Sequence, residues 1–222
     1  ILSYFVFAIG ILTKPQSLFF TPVLICGIID QVFLEDFNWK KFFKNFVLGV
    51  AAILMIGVLM LPFGFSQALN QYTGTLKSYE YASINAYNFW NMLGLNWASQ
   101  YDKLLGVQYK TWGTIAIVLT VIISIIISLR CKKNAGKYYF IGGFVVTTVF
   151  MFAVRMHERY LFPAMVMFLL AFAVRLRKEI YMLYVLVSTV AFYNAAHVLF
   201  VYDNTNFNSK APIPIAISIG LL

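Results

Sequence analysis

Two stretches of this chain, FVLGVAAILMIGVLMLPF at 46–63 and WGTIAIVLTVIISIIISL at 112–129, each run 18 residues without a charged side chain. A bilayer-spanning helix needs about 20 mostly apolar residues, because every backbone polar group must be satisfied within the segment. Runs of this length constrain the fold more than any other feature. About eight apolar segments can be marked on this basis: 1–12, 17–33, 46–63, 112–129, 138–154, 161–174, 180–201 and 214–222. The expectation is an all-α, polytopic transmembrane helical bundle. With 61% hydrophobic and 11% charged residues, the composition is far from that of a soluble domain.

The formal charge of +9 reads as topology and not as a nucleic-acid surface, because the cations fall in short blocks between apolar runs. Lys40, Lys41 and Lys44 form one block, Arg130, Lys132, Lys133 and Lys137 a second, and Arg175, Arg177 and Lys178 a third. The positive-inside rule puts these blocks in the cytoplasm. The alternate connections are then extracytoplasmic: the KPQ break at 14–16, a long loop at 64–111, the HERY turn at 157–160, and YDNTNFNSKAP at 202–212. The reading is one transmembrane domain over residues 1–222. It opens at Ile1 without an initiator methionine, and both ends fall in apolar runs, so an internal or C-terminal fragment of a longer chain is expected. Cys26 and Cys131 give neither a disulfide framework nor a thiolate metal site.

Within the long loop, Phe65, Leu69, Tyr72, Leu76 and Tyr79 recur at helical spacing, which predicts an amphipathic surface helix. Asn85, Asn88, Asn91 and Asn96 follow, interleaved with Tyr87, Phe89, Trp90 and Trp97. Rings favour the headgroup layer and amides offer paired donors and acceptors for sugar hydroxyls, although an ordinary interfacial belt has the same composition.

The polar breaks carry the chemistry. The apolar run after HERY, 161–174, is short for a span, as is 17–29 after KPQ before Asp30. Both breaks are therefore expected to be recessed into the membrane from outside. Charges at such depth cost about 2.5–3.5 kcal/mol each by insertion scales, so they face a protein interior or a wet cavity. Lys14, Arg155, His157 and Arg159 would suit a phosphate, while Pro15 and Pro163 help break and restart helices around a cavity. The plainer alternative is a salt bridge of Glu158 with Arg155 or Arg159, with snorkelling at the helix ends. Asn194 and His197 lie one turn apart, read as an interhelical hydrogen bond before a proton relay. Gly142 and Gly143 read as a close helix contact, and Asp203 as a solvated loop acid. No Walker sequence, zinc spacing or nucleophile elbow is present.

The order of TKPQ, a basic loop, a long outer loop with NAYNFW, and MHERYLFP resembles the membrane glycosyltransferases of the GT-C superfamily, and within it bacterial proteins similar to the second mannosyltransferase of GPI-anchor assembly. MHERYLFP carries most of the specificity, since KPQ occurs more widely. The resemblance implies inverting transfer of a hexose, mannose by family likeness, at the outer face of the cell membrane. The donor would be a polyprenyl-phosphate sugar, the acceptor a glycan, lipid or protein, and the site would lie against the lipid bilayer. It implies that Lys14, His157 and Arg159 hold the donor phosphate, joined by Arg155. Gln16, Asn85 and Asn88 would contact sugar or headgroup, Tyr160 would form a wall or donate a hydrogen bond, and Glu158 would orient Arg159 or His157. The catalytic base of such enzymes lies in the first outer loop, expected before Ile1, which leaves the catalytic residue unknown and Glu158 as the fallback. No nucleotide is implied, and a divalent cation, used by some relatives, is left open. The alternative function is a transporter or flippase for a lipid-linked or anionic substrate. Its expected inverted repeats are not visible, and the breaks lie toward one face.

Overall fold

Proline fixes where the first helix ends. Helix α1 (Leu2–Thr13) stops before Pro15, which holds Lys14 extended at φ −153° and ψ 117°. A 3₁₀ turn over Pro15–Phe20 leads into α2 (Thr21–Phe33), and α3 (Trp39–Met60) starts at Asn38, whose side chain accepts from the Lys41 N–H at 3.0 Å. A 3₁₀ turn at Leu61–Phe63 and Gly64, at φ 74°, precede the amphipathic α4 (Phe65–Lys77), which follows the sequence period through Leu76 and stops short of Tyr79, a residue at φ 60° beyond the helix end. The computed structural model of the chain describes residues 1–33, 37–131, 134, 136–202 and 218. The 214–222 segment (apart from Ser218), most of the 202–212 loop, Asp203, Lys132 and Lys133 lie outside them.

The chain divides into two compact units, Ile1–Ser78 and Tyr79–Leu222. The division falls inside the 64–111 loop of what the sequence reads as a single transmembrane domain: α4 belongs to the first unit and the Asn-rich stretch to the second. In the first unit Tyr4, Ala8 and Ala52 form a buried centre packed by Leu24, Ile28, Leu48, Met55 and Ile56. Tyr4 Oη donates to Asn45 Oδ1 at 2.7 Å, a buried polar link between α1 and α3 of the kind that joins helices in lipid. Tyr72 Oη donates to the Ile11 carbonyl at 3.1 Å and so ties α4 to α1.

The second unit opens with β1 (Ser83–Ile84), a one-turn α5 (Phe89–Met92), and a hairpin of β2 (Lys103–Leu104) and β3 (Val107–Gln108). Three helical segments follow: α6 (Tyr109–Arg130), α7 (Gly136–Phe152), and after β4 (Met156–His157) and a 3₁₀ turn at Glu158–Leu161, α8 (Phe162–Val174). The last, α9 (Lys178–Tyr202), is the longest of the described helices. Gly143 makes a close helix contact, since an added Cβ there would sit 2.8 Å from the Phe168 ring of α8.

The described residues are mostly helical, and each apolar segment predicted within them forms a helix. Four helical runs are long and apolar enough to cross a membrane: Pro15–Phe33, Trp39–Phe63, Tyr109–Arg130 and Lys178–Phe200. This points to a membrane protein. The eight spans of the sequence reading are not reproduced, because α1 and α7 are shorter apolar helices of 12 and 17 residues and α8 has 13. Helical runs also alter the depth argument. The 3₁₀ turn and α2 together give 19 residues, a rise of about 31 Å, and Glu158–Val174 gives about 28 Å. Against a hydrocarbon thickness of about 30 Å, both breaks sit near the ends of nearly full-length runs and need not be recessed.

Candidate functional site at the Arg155–Tyr160 turn

α7 ends at Phe152 and leaves its last carbonyls to be satisfied from outside the helix. Trp90 Nε1 donates to the Phe152 carbonyl at 2.9 Å, and Asn88 Nδ2 to the Phe150 carbonyl at 3.2 Å. α6 closes in from another side: an added Cβ at Gly113 would meet Val154 N at 3.1 Å and Ala153 Cα at 3.3 Å, so any larger residue there presses on the backbone of the turn. Beyond the helix end, Arg155 takes φ 65°, a left-handed conformation that costs a non-glycine residue roughly 1–2 kcal/mol. Three contacts hold it there. Its N–H donates to the Tyr81 carbonyl at 2.9 Å, its Nε to Gln100 Oε1 at 2.9 Å, and its guanidinium lies 3.5 Å from Glu80 Oε1.

The next two residues, β4, pair in parallel with β1 in the register Ser83 to Met156 and Ile84 to His157. The pairing buries His157 to 6% exposure. Tyr79 meets the His157 ring edge-on at 5.1 Å between centroids, and Tyr160 packs on it at 4.9 Å. Arg159 points outward, 56% exposed, while its Nη1 donates to Glu158 Oε1 at 2.9 Å. The Glu158–Arg159 ion pair is the local pairing that the sequence offered as the plainer reading. It also fixes the orientation of a guanidinium that still faces outward. The Arg159 guanidinium lies 5.9 Å from the Tyr160 ring.

The amides of the loop bond within the unit. Asn85, at φ 57°, accepts from Asn96 Nδ2 at 3.0 Å and Trp97 Nε1 at 2.9 Å through Oδ1, and its N–H donates to Asn96 Oδ1 at 2.7 Å. Asn88 is fully buried: Oδ1 caps α5 by accepting from the Asn91 N–H at 3.1 Å, while Nδ2 serves α7. These side chains shape the loop through bonds within it and to the end of α7. Asn194 of α9 stitches the loop to the bundle. Its Oδ1 accepts from the Tyr87 N–H at 2.9 Å and its Nδ2 donates to the Asn85 carbonyl at 2.8 Å. His197 Nδ1 bonds the Tyr87 hydroxyl, so the loop is a partner of both members of this Asn–His pair. Burial, followed by the nearby Tyr193, pushes the Tyr87 phenol far above its ordinary range.

Lys14 and Gln16 belong to the first unit. Lys14 is exposed, and Gln16 Oε1 is buried with no hydrogen-bond partner among the described residues. Arg155, His157, Glu158, Arg159, Tyr160, Asn85 and Asn88 all belong to the second, and the turn brings Arg155 to Tyr160 beside a set that sequence reasoning missed: Tyr79, Glu80, Gln100 and Tyr101. Tyr101 Oη donates to Glu80 Oε1 at 2.7 Å, so Glu80 accepts from the phenol and pairs with the Arg155 guanidinium at 3.5 Å. That bond to Glu80, ahead of burial, raises the Tyr101 phenol. No spacing rule links residues 55 to 75 positions apart, and the only available signal was the presence of Glu80 as one of two acids, with Asp102, in the 64–111 loop. Among the described residues no three His, Cys, Asp or Glu side chains gather as metal ligands. Comparison with protein-family models, curated proteins and solved structures finds no match for the chain.

Proposed function

We propose that the chain is part of a GT-C type membrane glycosyltransferase, which moves a hexose from a polyprenyl-phosphate donor to a glycan, lipid or protein acceptor at the extracytoplasmic face. One observation carries the reading: a cluster of titratable groups on left-handed and irregular backbone between the apolar helices α7 and α8. All five non-glycine residues with positive φ among the described residues, Tyr79, Asn85, Trp97, Leu105 and Arg155, fall in the loop and this turn. Strained backbone held by its surroundings gathers at functional sites.

In this reading Arg159, outward-facing and steadied by Glu158, meets the donor phosphate with its planar fork of donors. His157 donates beside it, and Tyr160 forms the wall. Arg155, engaged by Glu80 and Gln100, positions the turn. The acceptor oxygen attacks the anomeric carbon, the bond to the lipid phosphate breaks with inversion, and Arg159 and His157 stabilise the charge that builds on the leaving oxygen. Glu158, held by a cation, is a fallback for taking the acceptor's proton and a better partner than base. Lys14 and Gln16 enter through the family resemblance alone. The transporter reading gains no specific support from the turn.

The test is transfer of radiolabelled sugar from polyprenyl-phosphate mannose in membranes containing the full-length protein. His157→Ala and Arg159→Gln are expected to lower transfer by at least about 100-fold, within the range known for removing one charge-stabilising donor. Because Arg159 is exposed, its variant should keep its expression and melting temperature. Wild-type turnover in Arg159→Gln would overturn the assignment of the turn. Absence of wild-type transfer across a panel of lipid-linked hexoses would overturn the enzyme class.

A further inference from the structure

The opposite end of the second unit carries a different polar feature. A cavity of about 340 Å³ opens where the end of α6, the start of α7, the end of α8 and the start of α9 meet. Lys137, Arg175 and Arg177 line it against one carboxylate, Glu179. Lys137 is 3% exposed, and its Nζ donates to the Ser128 carbonyl at 3.1 Å, which places a fixed positive charge in the floor. Arg175 and Arg177 are exposed at the rim and, like Glu179, make no ion pair among the described residues. Ile127, Phe140, Ala171, Ile180 and Leu183 supply apolar walls.

We propose that this cavity binds the phosphate headgroup of an anionic phospholipid. Charge complementarity calls for an anion, since three cations face one acid. The walls choose the lipid over a free phosphate, because two of the four helices, α6 and α9, are long and apolar enough to cross a membrane and carry the lining from charged rim to apolar surface. The volume is at the low end of the range for small-molecule sites, about 300–1,000 Å³, which suits a headgroup and the first carbons of its chains and not a whole lipid. Basic pockets between membrane helices are a known way of holding such headgroups.

The experiment uses the full-length protein in detergent micelles and measures retention of phosphatidylglycerol against phosphatidylcholine by native mass spectrometry. At about fivefold per surface cation, Arg175→Gln/Arg177→Gln is expected to weaken phosphatidylglycerol binding about 25-fold, with phosphatidylcholine unchanged. Arg130→Gln is the control: it removes one charge from the end of α6, outside the cavity lining, and should weaken binding by about fivefold at most, well short of the double variant. Both rim arginines are exposed, and an unshifted melting temperature in phosphatidylcholine would confirm that the double variant folds. Equal retention of the two lipids, an Arg130→Gln loss as large as that of the double variant, or displacement of the lipid by millimolar inorganic phosphate would each overturn the proposal.

Discussion

At Lys14 the chain turns by local means. Pro15 sets the break, Lys14 N–H bonds the Gly10 carbonyl at 2.9 Å, and Ser17 N–H bonds the Lys14 carbonyl at 3.0 Å, all within seven positions or fewer. At Arg155 the chain turns by distant means. Its contacts are Tyr81, Glu80 and Gln100, the strand partner starts at Ser83, and the helix end before it is closed by Asn88, Trp90 and Gly113. The two breaks look alike in sequence, each a cation and a proline between apolar runs. The first is a hinge of the backbone, while the second is a built structure that costs strain and is held by a folded loop.

Removing the stitch that holds the loop should separate the two breaks most. Asn194→Leu leaves the Tyr87 N–H and the Asn85 carbonyl without their partners. At about 1–3 kcal/mol for each buried group left unsatisfied, the cost should be about 2–6 kcal/mol. Thermal unfolding would read it, and limited proteolysis should cut first between 79 and 108. By contrast Ser17→Ala, at the Lys14 break, is expected to stay within about 0.5 kcal/mol, because the bonds there are made by the backbone. A stable Asn194→Leu protein with a protected loop would show that the second break, too, is locally determined.

A smaller effect is expected from glycine replacements. Gly113→Ala presses a methyl group onto the backbone of Ala153 and Val154, which cannot swing aside as a side chain would, and should cost about 1–3 kcal/mol. Gly27→Ala in α2 and Gly49→Ala in α3 meet open space, so the gain in helix propensity should make them neutral or stabilising by up to about 1 kcal/mol. Equal melting temperatures for all three variants would remove the claim that α6 clamps the turn.

What the sequence makes legible follows the same division. Apolar length marks α1 to α3 and α6 to α9, the spacing of Phe65, Leu69 and Tyr72 marks α4, and Pro15 marks the first break, because each signal lies within one segment. Asn85 and Asn88 were not legible as builders of the loop, since an amide's residue type names its bonding capacity and not its partner. The Glu80–Arg155–Gln100 set and the pairing of β1 with β4 depend on which distant segments the fold brings together. The length of the runs beside both breaks was misjudged for a local reason: 3₁₀ turns at Pro15–Phe20 and Glu158–Leu161 lengthen runs that apolar counting had cut short.

The smallest effect tests the network around Arg155 without unfolding it. Tyr101 is a phenol whose protonated form donates to Glu80, and the negative carboxylate disfavours a phenolate beside it, so its pKa is raised above the ordinary value near 10. The native state therefore holds this proton more tightly than the unfolded chain. The stabilisation is present in full below the unfolded pKa and is lost as pH rises through the higher native one. Carbon-13 NMR of labelled tyrosine should show one resonance, absent in Tyr101→Phe, that titrates above pH 10. Glu80→Gln should return it toward the ordinary value, and Arg155→Lys should raise it slightly further if the guanidinium's nearby charge, a lesser influence opposed to Glu80, is displaced. An unchanged titration in Glu80→Gln would mean that Glu80 does not join Tyr101 to Arg155, leaving the backbone bond to Tyr81 and the amide of Gln100 to hold the strained residue alone.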